Sequence, residues 1–203
     1  MNNKSDIKLS KALSWILRHG AVKEGLTLSP EGYTPVANLL QHRLFKGQYK
    51  ITDIERVVET NDKQRFKLRV NPLTHALEIR ANQGHSLSGV SERLTPIIEA
   101  KYPTVVHGTY LNSYQSIKKE GLSRMSRQHI HFAKGTPGDK TVISGLRRDA
   151  EVFIYLDLQK ALDDGLKFFE SENGVILTAG NEDGYILPKY FLKATSNTGL
   201  TLT

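Results

Sequence analysis

Residues 52–80, TDIERVVETNDKQRFKLRVNPLTHALEIR, contain the change of period that decides the fold. Thr52 and Glu55 have capping-box spacing, and Ile54, Val57 and Val58 follow at helical intervals. Two β-like runs come next, Arg65 to Val70 and Ala76 to Arg80, with the turn formers Asn71-Pro72 between them. The sequence therefore predicts a helix handing over to a hairpin. Lys63, Gln64 and Arg65 fall at the handover, where polar groups sit at the end of a regular element rather than inside a core.

Upstream, Asp6 is placed to cap a helix whose apolar face is Leu9, Leu13, Ile16 and Leu17, with Gly20 placed to end it. Arg18 and His19 then stand at its C-terminal end. Thr34-Pro35 reads as a second helix start, with proline at the first helical position before Val36, Leu39 and Leu40. Three helices followed by a hairpin is the order of a winged-helix module, a fold analogy that carries little functional weight alone.

Downstream the expected strands are Thr104 to His107, His129 to Ala133, Val152 to Asp157, Gly174 to Thr178 and one around Tyr190 to Ala194. Helices are expected from Ser113 to Glu120, stopped by Gly121, and from Leu158 to Asp164. The second half thus reads as α+β, built on twisted antiparallel sheets. The longest loop is Lys134 to Lys140, and no repeat or low-complexity tract interrupts the chain.

Composition sets the outer limits. With 203 residues, 38% hydrophobic and 24% charged, the chain has the make-up of a globular protein able to bury a core. No apolar run approaches the roughly 20 residues a bilayer crossing needs, and Met-Asn-Asn-Lys-Ser-Asp is not a secretory leader, so a cytoplasmic location is expected. The lack of cysteine removes disulfides, thiolate zinc sites and thiol nucleophiles. Residues 1–95 carry 15 Lys/Arg against 9 Asp/Glu, whereas residues 96–203 carry 13 against 12. A basic first half suits contact with a nucleic-acid backbone, although a basic surface also serves solubility.

Six segments occur in order: Leu17-Arg18-His19-Gly20, Asn61 to Phe66, Ile79-Arg80-Ala81-Asn82-Gln83-Gly84-His85-Ser86, Val106-His107-Gly108-Thr109, His129 to Ala133, and Ser144-Gly145-Leu146-Arg147. Together they resemble the NAD-dependent RNA 2′-phosphotransferases, which remove the 2′-phosphate left at a tRNA splice junction. The resemblance runs from Leu9 to Phe191. It implies an N-terminal winged-helix lobe, residues 1–95, that binds the RNA 2′-phosphate. It also implies a C-terminal lobe of the ADP-ribosyltransferase type, residues 96–203, that binds NAD, with the active site in the cleft between them. The implied chemistry has two steps. A phosphate oxygen attacks the nicotinamide ribose of NAD and releases nicotinamide. Transesterification then frees the RNA 2′-hydroxyl and ADP-ribose 1″,2″-cyclic phosphate.

By resemblance the catalytic tetrad is Arg18, His19, Arg65 and Arg147. Arg18 and Arg65 would clamp the phosphate while His19 donates a hydrogen bond, and Arg147 would act in the transferase lobe. The substrate-binding set adds Lys63, Gln64, Arg80, Asn82, Gln83 and His85. The implied NAD contacts are His107, Gly108, Thr109, Ile117, Gly121, His131 and Phe132. There is no G-x-G-x-x-G fingerprint, so NAD rests on the resemblance. No metal is implied; the partner is 2′-phosphorylated RNA, with no membrane, no obligate protein partner and a monomeric state, in tRNA splicing or RNA repair.

Each residue also has a plainer interpretation. Arg18-His19 is a pair the dipole favours at a helix C-terminus, Lys63-Gln64-Arg65 a solvated loop, Arg80 to Ser86 a polar linker, and a lone histidine on a strand a structural one. Two other functions compete. One is an ADP-ribosyltransferase acting on protein or on nucleic-acid terminal phosphates, although the stretch after Glu172 is apolar where such enzymes carry a late-strand glutamate. The other is a noncatalytic winged-helix nucleic-acid binder.

Overall fold

The computed structural model describes residues 4–91, 93–136, 139, 142, 144–147 and 149–202. The chain divides into two compact units, Met1–Arg93 and Leu94–Thr203. It is a mixed helix-and-sheet protein in which antiparallel sheets dominate.

In the first unit, α1 (Lys4–Trp15) buries Leu9 and Leu13 and passes without a break into a π-helical turn, Ile16–Gly20. Strand β1 (Thr34–Pro35), α2 (Val36–Gln41), α3 (Ile51–Glu59), β2 (Phe66–Val70) and β3 (Leu77–Ala81) follow. The sheet order is β1-β3-β2, with Phe66 opposite Ala81 and Thr34 opposite Ile79. Ile16, Leu17, Phe45, Ile54, Phe66 and Ile79 meet in its core. Burial of each such side chain is worth about 1.5–3 kcal/mol before conformational entropy is charged against it.

Three local expectations change. Asp6 lies in the first turn of α1 rather than ahead of it, buried against Arg56 at 2.8 Å. Thr34-Pro35 is a short strand, and Pro35 precedes α2 instead of opening it. The α3 terminus is capped by Asp53, whose Oδ2 accepts from the Lys50 N–H at 2.8 Å, so Thr52 and Glu55 fall inside the helix. An acid at the third helical position reaches back to the same orphan donor wherever the helix starts.

The second unit comprises β4 (Leu94–Ile97), β5 (Val106–Thr109), α4 (Leu111–Glu120), β6 (Leu122–Ser123), β7 (Ile130–Ala133), β8 (Val152–Leu156), α5 (Leu158–Asp163), β9 (Phe168–Ser171), β10 (Val175–Thr178), β11 (Tyr185–Ile186), β12 (Phe191–Ser196) and β13 (Thr201–Leu202). Eight strands form one sheet in the order β13-β12-β8-β5-β7-β10-β9-β4, and β11 pairs with β6. Strand β4 contains Pro96, which lacks a ladder donor and is tolerated at the sheet edge. The sequence reading missed β4, where proline interrupts the pattern, the two-residue strands, which are too short to show one, and β9, whose Phe168-Phe169-Glu170-Ser171 does not alternate. Part of the loop expected at 134–140 lies outside the described residues. Among those described, no helix is long and apolar enough to cross a membrane.

Candidate active site

Arg18 and His19 ride on the π-helical turn, both partly exposed. Such a turn carries one extra residue per i→i+5 bond and recurs at functional positions. Gly20 is inside it with ordinary φ, so glycine is not needed here to stop the helix. It is needed for space: a Cβ at Gly20 would lie 2.7 Å from Cη2 of Trp15, whose indole covers it.

Arg65 is set by the loop that leads into β2. Asn61, buried, accepts from the Arg65 N–H at 3.1 Å and from Arg65 Nη1 at 3.4 Å through one Oδ1. Gln64 stands between them with φ of 44°, a left-handed conformation that costs a non-glycine residue about 1 kcal/mol or more. Two bonds sustain it: Gln64 N–H to the Asn61 carbonyl at 2.8 Å, and Asn82 Nδ2 to the Gln64 carbonyl at 2.7 Å. Lys63 is partly exposed beside them.

The segment after β3 connects the two cationic stretches. Asn82 N–H donates to the Arg65 carbonyl at 2.9 Å; four residues on, Ser86 N–H donates to the Arg18 carbonyl at 2.9 Å, and Ser86 Oγ lies 2.9 Å from His19 Nδ1. Gly84, with φ of 89°, makes the bend between them. Arg18, His19 and Arg65 are thus held by one short piece of backbone. Arg80, Gln83 and His85 are buried around it. Arg80 is 1% exposed and its guanidinium faces the Tyr33 ring at 5.1 Å, with Arg69 closer to the same ring at 3.6 Å. Of this stretch, Arg80 and His85 are buried, with Arg80 Nη1 donating to the Glu31 carbonyl at 3.5 Å, and Asn82 is held by its bonds to residues 64 and 65.

In the second unit, β5 carries His107, Gly108 and Thr109. His107 Nδ1 donates to the His131 carbonyl on β7 at 2.8 Å, which fixes the tautomer and leaves Nε2 as an acceptor in the neutral ring. Burial pushes the His107 imidazole below the usual histidine range; Arg147 and Arg127 add to that effect and the His131 carbonyl opposes it. Gly108 is closely covered, since an added Cβ would meet Ala150 Cβ at 3.0 Å and Leu146 Cδ2 at 3.2 Å. Gly145, with φ of 98°, lies against the Ala133 backbone. The two glycines let the segment bearing Arg147 lie across β5 and β7.

Arg147 is exposed, and its Nη1 donates to Tyr110 Oη at 3.2 Å. Tyr110 in turn donates to Asp149 at 2.9 Å. A second arginine, absent from the sequence reading, shares this region. Arg127 is partly buried, and burial together with Arg147 holds its guanidinium below the ordinary arginine value. Its backbone is fixed by the turn 124–127, in which Arg127 N–H donates to the Arg124 carbonyl at 3.1 Å and Arg124 Nη1 donates to the Arg127 carbonyl at 3.0 Å. The only sequence signal was its position at the head of the His129–Ala133 segment.

Ile117, Gly121 and Phe132 are placed by packing. Ile117 packs on the core of its unit, and Phe132 is fully buried, edge-on to the His107 ring. Gly121, with φ of 102°, ends α4 where a Cβ would meet the Ile186 carbonyl at 2.4 Å. His131 is partly exposed on β7 and Thr109 is buried at the end of β5.

An antiparallel α+β protein with two arginines and a histidine held on one unit, and a neutral histidine beside two arginines on the other, has the chemistry of an enzyme for phosphate-bearing substrates. A family model described as RNA 2′-phosphotransferase, Tpt1 / KptA family, matches residues 4–180. The chain is 49% identical over 191 residues to the human tRNA 2′-phosphotransferase 1, covering 93% of this chain and 75% of that one. It is 48% identical over 192 residues to the Danio rerio tRNA 2′-phosphotransferase 1, covering 93% and 85%. It is 43% identical over 185 residues to the Saccharomyces cerevisiae tRNA 2′-phosphotransferase, covering 87% and 80%. The chain belongs to the RNA 2′-phosphotransferase, Tpt1 / KptA family.

Proposed function

We propose that this enzyme removes the 2′-phosphate left at a tRNA splice junction and that NAD is the acceptor. The observation that carries the reading, beyond family membership, is the bonding of Asn82 and Ser86 to both cationic stretches, Arg65 and Arg18-His19. A planar guanidinium presents paired donors to phosphate oxygens, so fixed arginines suit a dianionic phosphate better than mobile lysines would. Arg18 and Arg65 hold the 2′-phosphate, His19 donates to it, and Lys63 and Gln64 flank it.

The residues of the second unit fit NAD. The neutral His107 offers Nε2 as acceptor to a ribose hydroxyl, and Arg127 and Arg147 neutralise phosphate charge. Gly108, Thr109 and His131 line the same strands. When bound, NAD supplies an electrophilic ribose carbon with nicotinamide as leaving group. The protein's task is then to orient the phosphate in line and stabilise charge that develops on its oxygens. In this reading the first unit is a winged-helix-like RNA 2′-phosphate-binding lobe, supported by three helices followed by the β2–β3 hairpin. The second is an ADP-ribosyltransferase-like NAD-binding lobe.

The test is incubation with a short RNA bearing one labelled internal 2′-phosphate, with and without NAD. The label moves to a small-molecule product only when NAD is present, and Arg65→Ala lowers the rate about 10²-fold or more. Arg127→Ala and Arg147→Ala in parallel apportion the charge work of the second unit. NAD consumption with the label kept on the RNA would sink the phosphotransfer reading.

A further inference from the structure

We propose that Ser86 is the positioning residue for the Arg18-His19 pair, fixing the backbone of one and the imidazole of the other. The proposal rests on the function given above. Ser86 N–H donates to the Arg18 carbonyl at 2.9 Å, and its Oγ is 2.9 Å from His19 Nδ1. The first bond ties the backbone of the π-helical turn to the segment after β3. The second fixes the rotation of the imidazole and so decides which edge Nε2 presents.

The chemistry of the partner matters as much as its place. His107 is bonded to a carbonyl, which only accepts, so its Nδ1 keeps its proton. His19 is bonded to a hydroxyl, which donates to a bare Nδ1 or accepts from a protonated one. Ser86 therefore keeps the ring in place whether or not it carries an extra proton, as required of a histidine that serves a phosphate whose charge changes along the reaction. The segment can do this because it is anchored at Asn82 on Gln64 and Arg65 and turned by Gly84.

Ser86→Ala and Ser86→Thr are compared with the unaltered enzyme by steady-state kinetics on 2′-phosphorylated RNA and by long-range proton–nitrogen spectra of histidine-labelled protein. In Ser86→Ala, kcat falls about tenfold, the loss of one hydrogen bond, while KM for the RNA changes by less than about twofold. The His19 ring resonances move and broaden as the imidazole loses its single orientation, and Ser86→Thr restores both rate and spectrum. Unchanged His19 ring resonances in Ser86→Ala overturn the proposal whatever the rate does. A raised KM with unchanged kcat overturns it too, by putting Ser86 on the substrate. If the unaltered protein transfers no phosphate, the function fails instead, and the spectra alone decide whether Ser86 holds His19.

Discussion

Asn61 holds Arg65 at two points with one oxygen, its Oδ1 accepting from the Arg65 N–H at 3.1 Å and from Nη1 at 3.4 Å. The guanidinium is thereby aimed in part by a neutral group. Asn61→Ala is expected to lower kcat/KM by about tenfold through lost aim. Asn61→Asp is expected to do worse, because a carboxylate at that spot pairs with the guanidinium and competes with phosphate. Kinetics of the two variants decide the point, and equal activity of Asn61→Asp and the unaltered enzyme would refute it.

Gly20 leaves space for the Trp15 indole beneath the turn that bears Arg18 and His19. Gly20→Ala puts a methyl 2.7 Å from ring carbon Cη2. Either the indole or the turn must move. The expected outcome is a lower transition temperature and a loss of phosphotransfer larger than the loss of stability explains. Trp15→Leu in the same background should relieve both, since a smaller side chain clears the contact.

His107 makes stability depend on pH. Its folded value lies below the usual histidine range, while in the unfolded chain it is about 6.5. As pH falls below about 6.5 the unfolded state takes up a proton that the folded state refuses, so stability is lost on acidification through that window and is fully present above it. Thermal unfolding of His107→Asn, compared with the unaltered protein from pH 8 to pH 5, is expected to show a shallower decline.

Asp6 is nearly buried and meets Arg56 at 2.8 Å, while Arg56 also reaches Asp53 at 2.8 Å. The two acids hold the Arg56 guanidinium above its ordinary value. Removing the cation strands the charge of a buried acid, whereas removing a rim acid does not. Arg56→Met is therefore expected to lower stability more than Asp53→Asn does. Denaturant melts of the two variants give the comparison.

Much of the first unit was legible in the sequence because its helices are amphipathic and its hairpin is punctuated by Asn71, whose side chain accepts from the Leu73 and Thr74 N–H groups at 2.9 and 3.1 Å. The π turn was not, since Ile16 and Leu17 fit an ordinary helix equally well. In the second unit β5, β7 and β10 alternate or run apolar, but β4 hides behind Pro96. Arg127 gave only its place at a strand head, and a cation there looks like surface until its burial and its interaction with Arg147 are seen. Asn82 shows the converse, a polar residue whose partner, the Gln64 carbonyl, lies 18 positions back.

Trp15 is the chain's one tryptophan, and its ring rests on the turn that carries Arg18 and His19. The protein's intrinsic emission therefore originates almost entirely beside the groups assigned to the phosphate. At 41% exposure the indole still senses solvent, so occupancy of that turn by an anion should register as a change in colour or intensity. The enzyme carries its own optical probe, able to separate RNA binding from catalysis without a label and before any NAD is added.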